Sequence, residues 1–262
     1  MLSKLAELFV EAVKNTCQGE IAILFSGGLD STTIATVAKR FTNPLLVTAG
    51  IEGSQDLEAA KSIAAQLQLP HKAVVLSEEE IVKVYKKCYK IRKGSMLEVE
   101  LMVPIYSCCR EAARAGKWKV LSGSGAEELF IGYDRYFKYK GEKLQKLLEQ
   151  ELSTLPLRDC QAQDMIAKHF GMSTAYPFLY PPFVDEVLKT PLSERLGTLE
   201  DKKPLLRKIA AELGVPQAAI ERKKKAMQYG TGVHKIILKH INQIEEELAI
   251  KEELKQRKIK RS

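Results

Sequence analysis

Two short segments hold the residue types that bind a nucleotide. Ser26-Gly27-Gly28-Leu29-Asp30-Ser31 follows the apolar run Ile-Ala-Ile-Leu-Phe (21–25), and Ser122-Gly123-Ser124-Gly125-Ala126-Glu127-Glu128 follows the apolar run 118–121. A glycine pair lets the chain take positive φ and lets a phosphate approach without a Cβ in the way. Ser26 and Ser31 add hydroxyl donors, and a helix starting at this point adds its first N–H groups and the positive end of its dipole. Asp30 would repel bare phosphate, as would Glu127 and Glu128. Carboxylates among phosphate donors make chemical sense where Mg²⁺ bridges the two, so the pattern is that of a metal-nucleotide site. The plainer alternative is a tight strand-to-helix turn with an aspartate near the helix start, and a second glycine-acid segment argues against it.

Such segments need a scaffold that brings both to one edge. Hydrophobic periodicity predicts helices over 3–15, 31–40, 56–67 and near 98–115, with strands over 20–25, 45–49, 72–76 and 118–121. Ser77 followed by Glu80 reads as a capping box that opens a further helix. Strands alternating with helices imply an α/β fold, a doubly wound parallel sheet, in which ligands sit beyond the carboxyl ends of the strands. Both glycine-acid segments lie there. From about residue 141 the pattern is helices and loops with no strand, Pro177, Pro181 and Pro182 marking a loop, and a last helix over roughly 232–256. The expected organisation is one domain over 1–250, its sheet part about 1–140 and its helical part about 141–250, followed by a basic tail over 251–262.

Composition bounds the function classes. At 262 residues and 45% hydrophobic content the chain can bury one substantial core. It has no run near the roughly 20 apolar residues that span a bilayer, and its amphipathic start lacks a signal peptide's apolar region. A cytoplasmic address without a membrane partner is expected. Cys17, Cys88, Cys108, Cys109 and Cys160 form no C-x-x-C pair, and His71, His169, His234 and His240 have no metal-ligand spacing. The formal charge of +8 gathers in 202–225 and in the tail, which makes tRNA one candidate partner.

The motifs resemble a known family, the N-type ATP pyrophosphatases (PP-loop proteins), and within it the synthetase domain of asparagine synthetases. The first turn resembles the family's pyrophosphate loop. GIEGSQDLEAA (50–60), LSGSGAEELFIGYDRY (121–136), RDCQAQDMIAKHFGMSTAYPFL (158–179), KKPLLRKIAAELGVP (202–216) and ERKKKAMQYGTGV (221–233) follow in family order. The resemblance implies an adenine nucleotide alpha hydrolase-like fold and an ATP split between its α and β phosphates. A substrate oxygen attacks the α phosphorus, and ammonia or an amine then displaces AMP. Carried over, Ser26, Gly27, Gly28, Asp30 and Ser31 hold pyrophosphate and Mg²⁺, and Phe25, Ala49 and Gly50 line the adenine. Ser122 and Gly123 touch the nucleotide, Glu127 matches a metal-associated Asp, and Lys203 stabilises charge on the leaving phosphates. Arg222 and Lys224 are further candidates for that last work. Asp30, Lys203 and Glu127 are the implied catalytic residues.

The pattern breaks on the substrate side. Asparagine synthetases have Glu at the place of Ser124 and Arg at the place of Ala175, and Tyr176 and Tyr180 fall where the substrate pocket would be. An arginine clamps a carboxylate bidentately and alanine cannot, so aspartate is expected to be a poor acceptor. Leu2 follows Met1 where glutamine-hydrolysing members have a catalytic cysteine and a glutaminase domain. Nitrogen is therefore expected from free ammonium, from a separate glutaminase subunit or from a substrate amine. Three readings stand: an AMP-forming amide ligase acting on a small carboxylate, an ATP pyrophosphatase adenylating a tRNA base, and a non-catalytic nucleotide-binding subunit.

Overall fold

The computed structural model describes residues 2–222 and 227–259. The chain runs α1 (Lys4–Thr16), β1 (Ile21–Leu24), α2 (Leu29–Ala38), β2 (Leu45–Gly50), α3 (Gln55–Leu67), β3 (His71–Val75), α4 (Glu78–Ile91), α5 (Met96–Arg114) and β4 (Lys119–Leu121). It continues through α6 (Ala126–Leu129), α7 (Gly141–Thr154), α8 (Asp159–His169), β5 (Ser173–Ala175), α9 (Pro181–Lys189) and α10 (Leu192–Arg195). The last elements are α11 (Pro204–Leu213), α12 (Gln217–Ile220), α13 (Met227–Gly230) and α14 (Val233–Ile259). The capping box at Ser77 and Glu80 is formed, and Ser95 with Glu98 makes a second one at the start of α5.

All strand pairs are parallel, in the order β3-β2-β1-β4-β5. After β3 the chain crosses back over β1 to place β4 on its other side. The direction of winding therefore reverses between β1 and β4, and the carboxyl ends of these two neighbours flank the crevice where open α/β sheets bind ligands. Alternation along each strand feeds two cores. Ile21, Ile23, Leu46 and Leu121 join the core under α1, α2, α3 and α11, whereas Ala22, Val47 and Val120 join the one under α4, α5, α8 and α14. The sheet is covered on both faces, as a parallel sheet must be.

Two expectations for the second half are corrected. β5 lies in the stretch read as strandless. It has three residues, with an exposed, half-buried, half-buried pattern that leaves no apolar signal, and its pairing with β4 alone defines it. The three prolines open helical turns: Pro177 starts a single 3₁₀ turn to Leu179, and Pro181 and Pro182 start α9. Proline's missing N–H costs nothing at a helix start, where that donor has no partner in any case.

Phe178 is fully buried, its ring centroid 4.7 Å from that of Phe9 and 6.2 Å from that of Phe130. This cluster fastens α1 and the prolyl turn beneath the segment after β4. A Cβ at Gly125 in that segment would overlap Leu179. Phe178→Ala should lower stability by about 3–5 kcal/mol, and Phe178→Leu by well under half of that. Urea unfolding of the three proteins checks the ratio.

Candidate nucleotide site

The first turn is shaped by its own side chains and by α3. The Ser26 and Gly28 amides donate to Ser31 Oγ and Ser26 Oγ, each at 3.3 Å, and Ser31 Oγ donates to the Gly28 carbonyl. Gly27 has φ +65°, and a Cβ there would stand 2.7 Å from Ala60 N, so no other residue fits. Gly28 is the N-cap of α2 and supplies no side-chain cap. The start of a ten-residue helix thus opens toward the crevice with donors that an anion can use.

The second loop meets the first at its narrowest point. A Cβ on Gly123 would lie 3.2 Å from Asp30 Cβ. The Ser122 amide donates to Ala175 O at 3.0 Å, which ties this loop to the end of β5. Lys203 joins the two loops. Its Nζ donates to Asp30 Oδ1 at 2.8 Å and Oδ2 at 2.9 Å and pairs with Glu127 Oε1 at 3.0 Å. Lys203 and Asp30 are only 6% and 5% exposed. Lys203 is the N-cap of α11 at φ 57°, ψ 46°, and Ile131 has φ 56°. The left-handed region costs a residue with a Cβ roughly 1–2 kcal/mol, and such strain gathers where a side chain must be aimed. Between the two strained residues lies Gly132, where a Cβ would overlap both Glu127 Oε2 and Lys203 Cε.

Ala49 and Gly50 end β2 beside the first turn, and Gly50 is hemmed by Ser54 and Thr231. The Phe25 ring is buried edge-on to His71, its amide donates to Val47 O, and its carbonyl accepts from Thr48 Oγ1. Arg222 binds Ser26 O, Gln55 O and Asp56 rather than facing a substrate. Ser124 Oγ accepts from Gln163 Nε2 at 2.7 Å and shares a hydrogen bond with Ser122 Oγ. Tyr176 donates to Asp164 Oδ1 and Cys160 O on α8, so its ring borders Ser124's neighbourhood. The Tyr180 hydroxyl donates to Glu11 and accepts from Asn15 of α1, on the face of the sheet that α1 covers. Lys224 and the side chains of the tail over 251–262 lie outside the described residues.

The asparagine synthase family model matches residues 4–142 and 138–261. The chain belongs to the asparagine synthase family. It is 29% identical over 256 residues to a putative glutamine-hydrolysing asparagine synthetase of Methanocaldococcus jannaschii, covering 84% of this chain and 47% of that one. It is 26% identical over 250 residues to asparagine synthetase B of Escherichia coli, covering 88% and 45%. The chain thus spans about half the length of these curated relatives. Among solved structures, NMN synthetase from Francisella tularensis aligns with a TM-score of 0.49 at 14% identity, covering 86% of this chain and 76% of that one.

The donor set at the crevice would fit a metal-nucleotide. Among the described residues no three His, Cys, Asp or Glu side chains converge as a metal cage. Asp30 and Glu127 nevertheless meet at one cation, the Lys203 ammonium. Two carboxylates completed by substrate phosphates are how Mg²⁺ is commonly held. Residues missed from sequence are Asp56, Gln163 and Gly132. Asp56 and Gly132 sit inside the motif segments already quoted, and Gln163 is one helical turn beyond Asp159, so a face-by-face reading of those segments would have found them.

Glu128 is 2% exposed and its Oε1 has no hydrogen-bond partner. Burial, with Glu127 and Asp159 adding to it, pushes its carboxyl up to about 7. A folded-state value above the unfolded one contributes stability that is present at low pH and is lost as pH rises to about 7. Glu128→Gln should therefore gain on the wild type by about 3 kcal/mol between pH 4.5 and pH 7 and level off above. Urea midpoints across that range check it. Lys203→Met, which removes the buried ammonium shared by Asp30 and Glu127, should cost about 3–5 kcal/mol at neutral pH, measured the same way.

Proposed function

We propose that the chain is an ATP-dependent amide ligase of asparagine-synthetase type, forming AMP and pyrophosphate. The observation that supports this most directly is Lys203 bridging Asp30 and Glu127 at the crevice, beside the uncapped start of α2. In this reading the Ser26–Ser31 turn receives the β and γ phosphates. A substrate carboxylate oxygen attacks the α phosphorus, the bond to the β-phosphate oxygen breaks, and ammonia or an amine then attacks the acyl carbon and releases AMP. Lys203 turns its ammonium from the carboxylates to the leaving pyrophosphate, where a fixed positive charge lowers the barrier. Asp30 and Glu127 would hold Mg²⁺, which would supply charge neutralisation at the phosphates. ATP–pyrophosphate exchange, screened across carboxylic acids, amino acids and total tRNA, tests the reading. Stimulation by a carboxylate supports it, stimulation by tRNA alone replaces it with the RNA-modifying reading, and ATP binding with no exchange leaves a nucleotide-binding subunit. Asp30→Ala and Lys203→Ala should each abolish pyrophosphate release.

The acceptor side is uncharged where the family's is charged. Ser124 is held by Gln163, and Ala175 offers its carbonyl to Ser122. A charge-assisted bond lost in a buried pocket is worth about 2–3 kcal/mol, or roughly a hundredfold in affinity. With ATP, Mg²⁺, ammonium and millimolar aspartate the protein should form little or no asparagine, by chromatography. Asparagine at ordinary enzymatic rates restores ammonia-dependent asparagine synthesis as the function.

A further inference from the structure

Arg222 occupies a place where a cation for phosphate or substrate is expected, and its guanidinium is engaged elsewhere. Nη1 donates to the Ser26 carbonyl at 2.6 Å, and Nη2 donates to Asp56 Oδ1 at 2.8 Å and to Gln55 O at 3.2 Å. The Arg222 and Asp56 side chains are 15% and 5% exposed. Asp56 is itself hemmed in, because a Cβ at Gly230 would stand 2.6 Å from its Oδ2. The planar fork thus spans three acceptors from two elements, which a lysine's single ammonium matches poorly.

The geometry of the peptide bond gives this anchor a consequence. In a trans peptide the carbonyl of one residue and the N–H of the next point in opposite directions. No cis peptide is present among the described residues. Holding Ser26 O toward the guanidinium therefore turns the Gly27 N–H away from it. A carbonyl that accepts a charged donor also polarises its amide and strengthens that N–H as a donor. Gly27 cannot rotate freely to escape the constraint, since its Cα lies directly on the α3 backbone at Ala59 and Ala60.

We propose that Arg222, itself held by Asp56, is a positioning residue for the leaving pyrophosphate, fixing the Ser26–Gly27 peptide so that its N–H faces the phosphates. Arg222 does not touch them. The inference rests on the ATP reading above.

The test measures ATP–Mg²⁺ affinity by calorimetry and amide hydrogen exchange of the nucleotide-free protein, for wild type, Arg222→Ala, Arg222→Lys and Asp56→Asn. Arg222→Ala should bind ATP about tenfold more weakly or worse and exchange faster at residues 27–31, with exchange in the strands unchanged. Arg222→Lys should recover part of both, and Asp56→Asn should shift both in the same direction by less. Weaker ATP binding with unaltered exchange at 27–31 makes Arg222 a direct phosphate ligand and overturns the proposal. Unaltered ATP affinity overturns it as well. If the wild type itself fails to bind ATP, the ATP reading falls and takes this inference with it, a result distinct from the other two. Should Arg222→Ala not fold, the lysine and Asp56 variants carry the same two readouts.

Discussion

One buried ammonium holds the crevice together. Asp30 comes from the turn after β1, Glu127 from the loop after β4, and Lys203 from the start of α11, so three distant parts of the chain meet at one Nζ. Two carboxylates this close repel each other and would be costly to bury alone, whereas a cation between them converts the repulsion into a clamp. The surrounding backbone pays for that clamp in conformation: Lys203 and Ile131 are left-handed, and Gly132 must lack a Cβ because the space belongs to the ion pair. The phenylalanine cluster and β5 hold the second loop against the clamp from behind.

The same interaction ties the cofactor chemistry to the fold. In the proposed reaction the Lys203 ammonium, which contacts both carboxylates, would give way to a nucleotide-borne divalent cation and turn its charge to face phosphate. The ammonium is flexible on a four-carbon stem, and its strained backbone is fixed by Pro204 at the first position of α11. An arginine could not make that exchange easily, since its fork would stay matched to the carboxylates. Arg222 shows the contrasting use: a rigid fork set permanently against a carbonyl and a carboxylate, where movement would loosen the turn.

Much of the architecture was legible because its signals are local. Four short strands alternating with helices announce a parallel sheet through their changing period, and Ser77 with Glu80 announces a helix start through a hydrogen bond confined to four residues. The first turn was legible through its residue types, although what requires Gly27 is the α3 backbone at Ala59 and Ala60. The contacts that a sequence does not announce are tertiary. β5 exists only because β4 pairs with it, Tyr180 is claimed by Glu11 and Asn15 some 165 or more positions earlier, and Arg222 is claimed by Ser26 and Asp56 from across the molecule. A motif states which residue types gather at a site. It does not state which of them are spent on each other.

That distinction bears on the acceptor side, where the chain departs from its relatives. In the proposed reading, Ser124 and Ala175 stand where the resemblance implies a Glu and an Arg, which removes one charge of each sign together. A single loss would have stranded its counter-charge in a buried place at a cost of several kcal/mol; a paired loss allows a neutral replacement. The structure contains such a replacement: Gln163, 7% exposed, donates to Ser124, and Tyr176 donates to Asp164 and the Cys160 carbonyl. Hydrogen bonds from Gln163 and Tyr176 thus occupy the ground around Ser124 and Ala175. Sites diverge this way when the cofactor half of a reaction is retained and the acceptor half is changed, because the first is built from backbone geometry that few sequences satisfy and the second from side chains that can be exchanged in pairs.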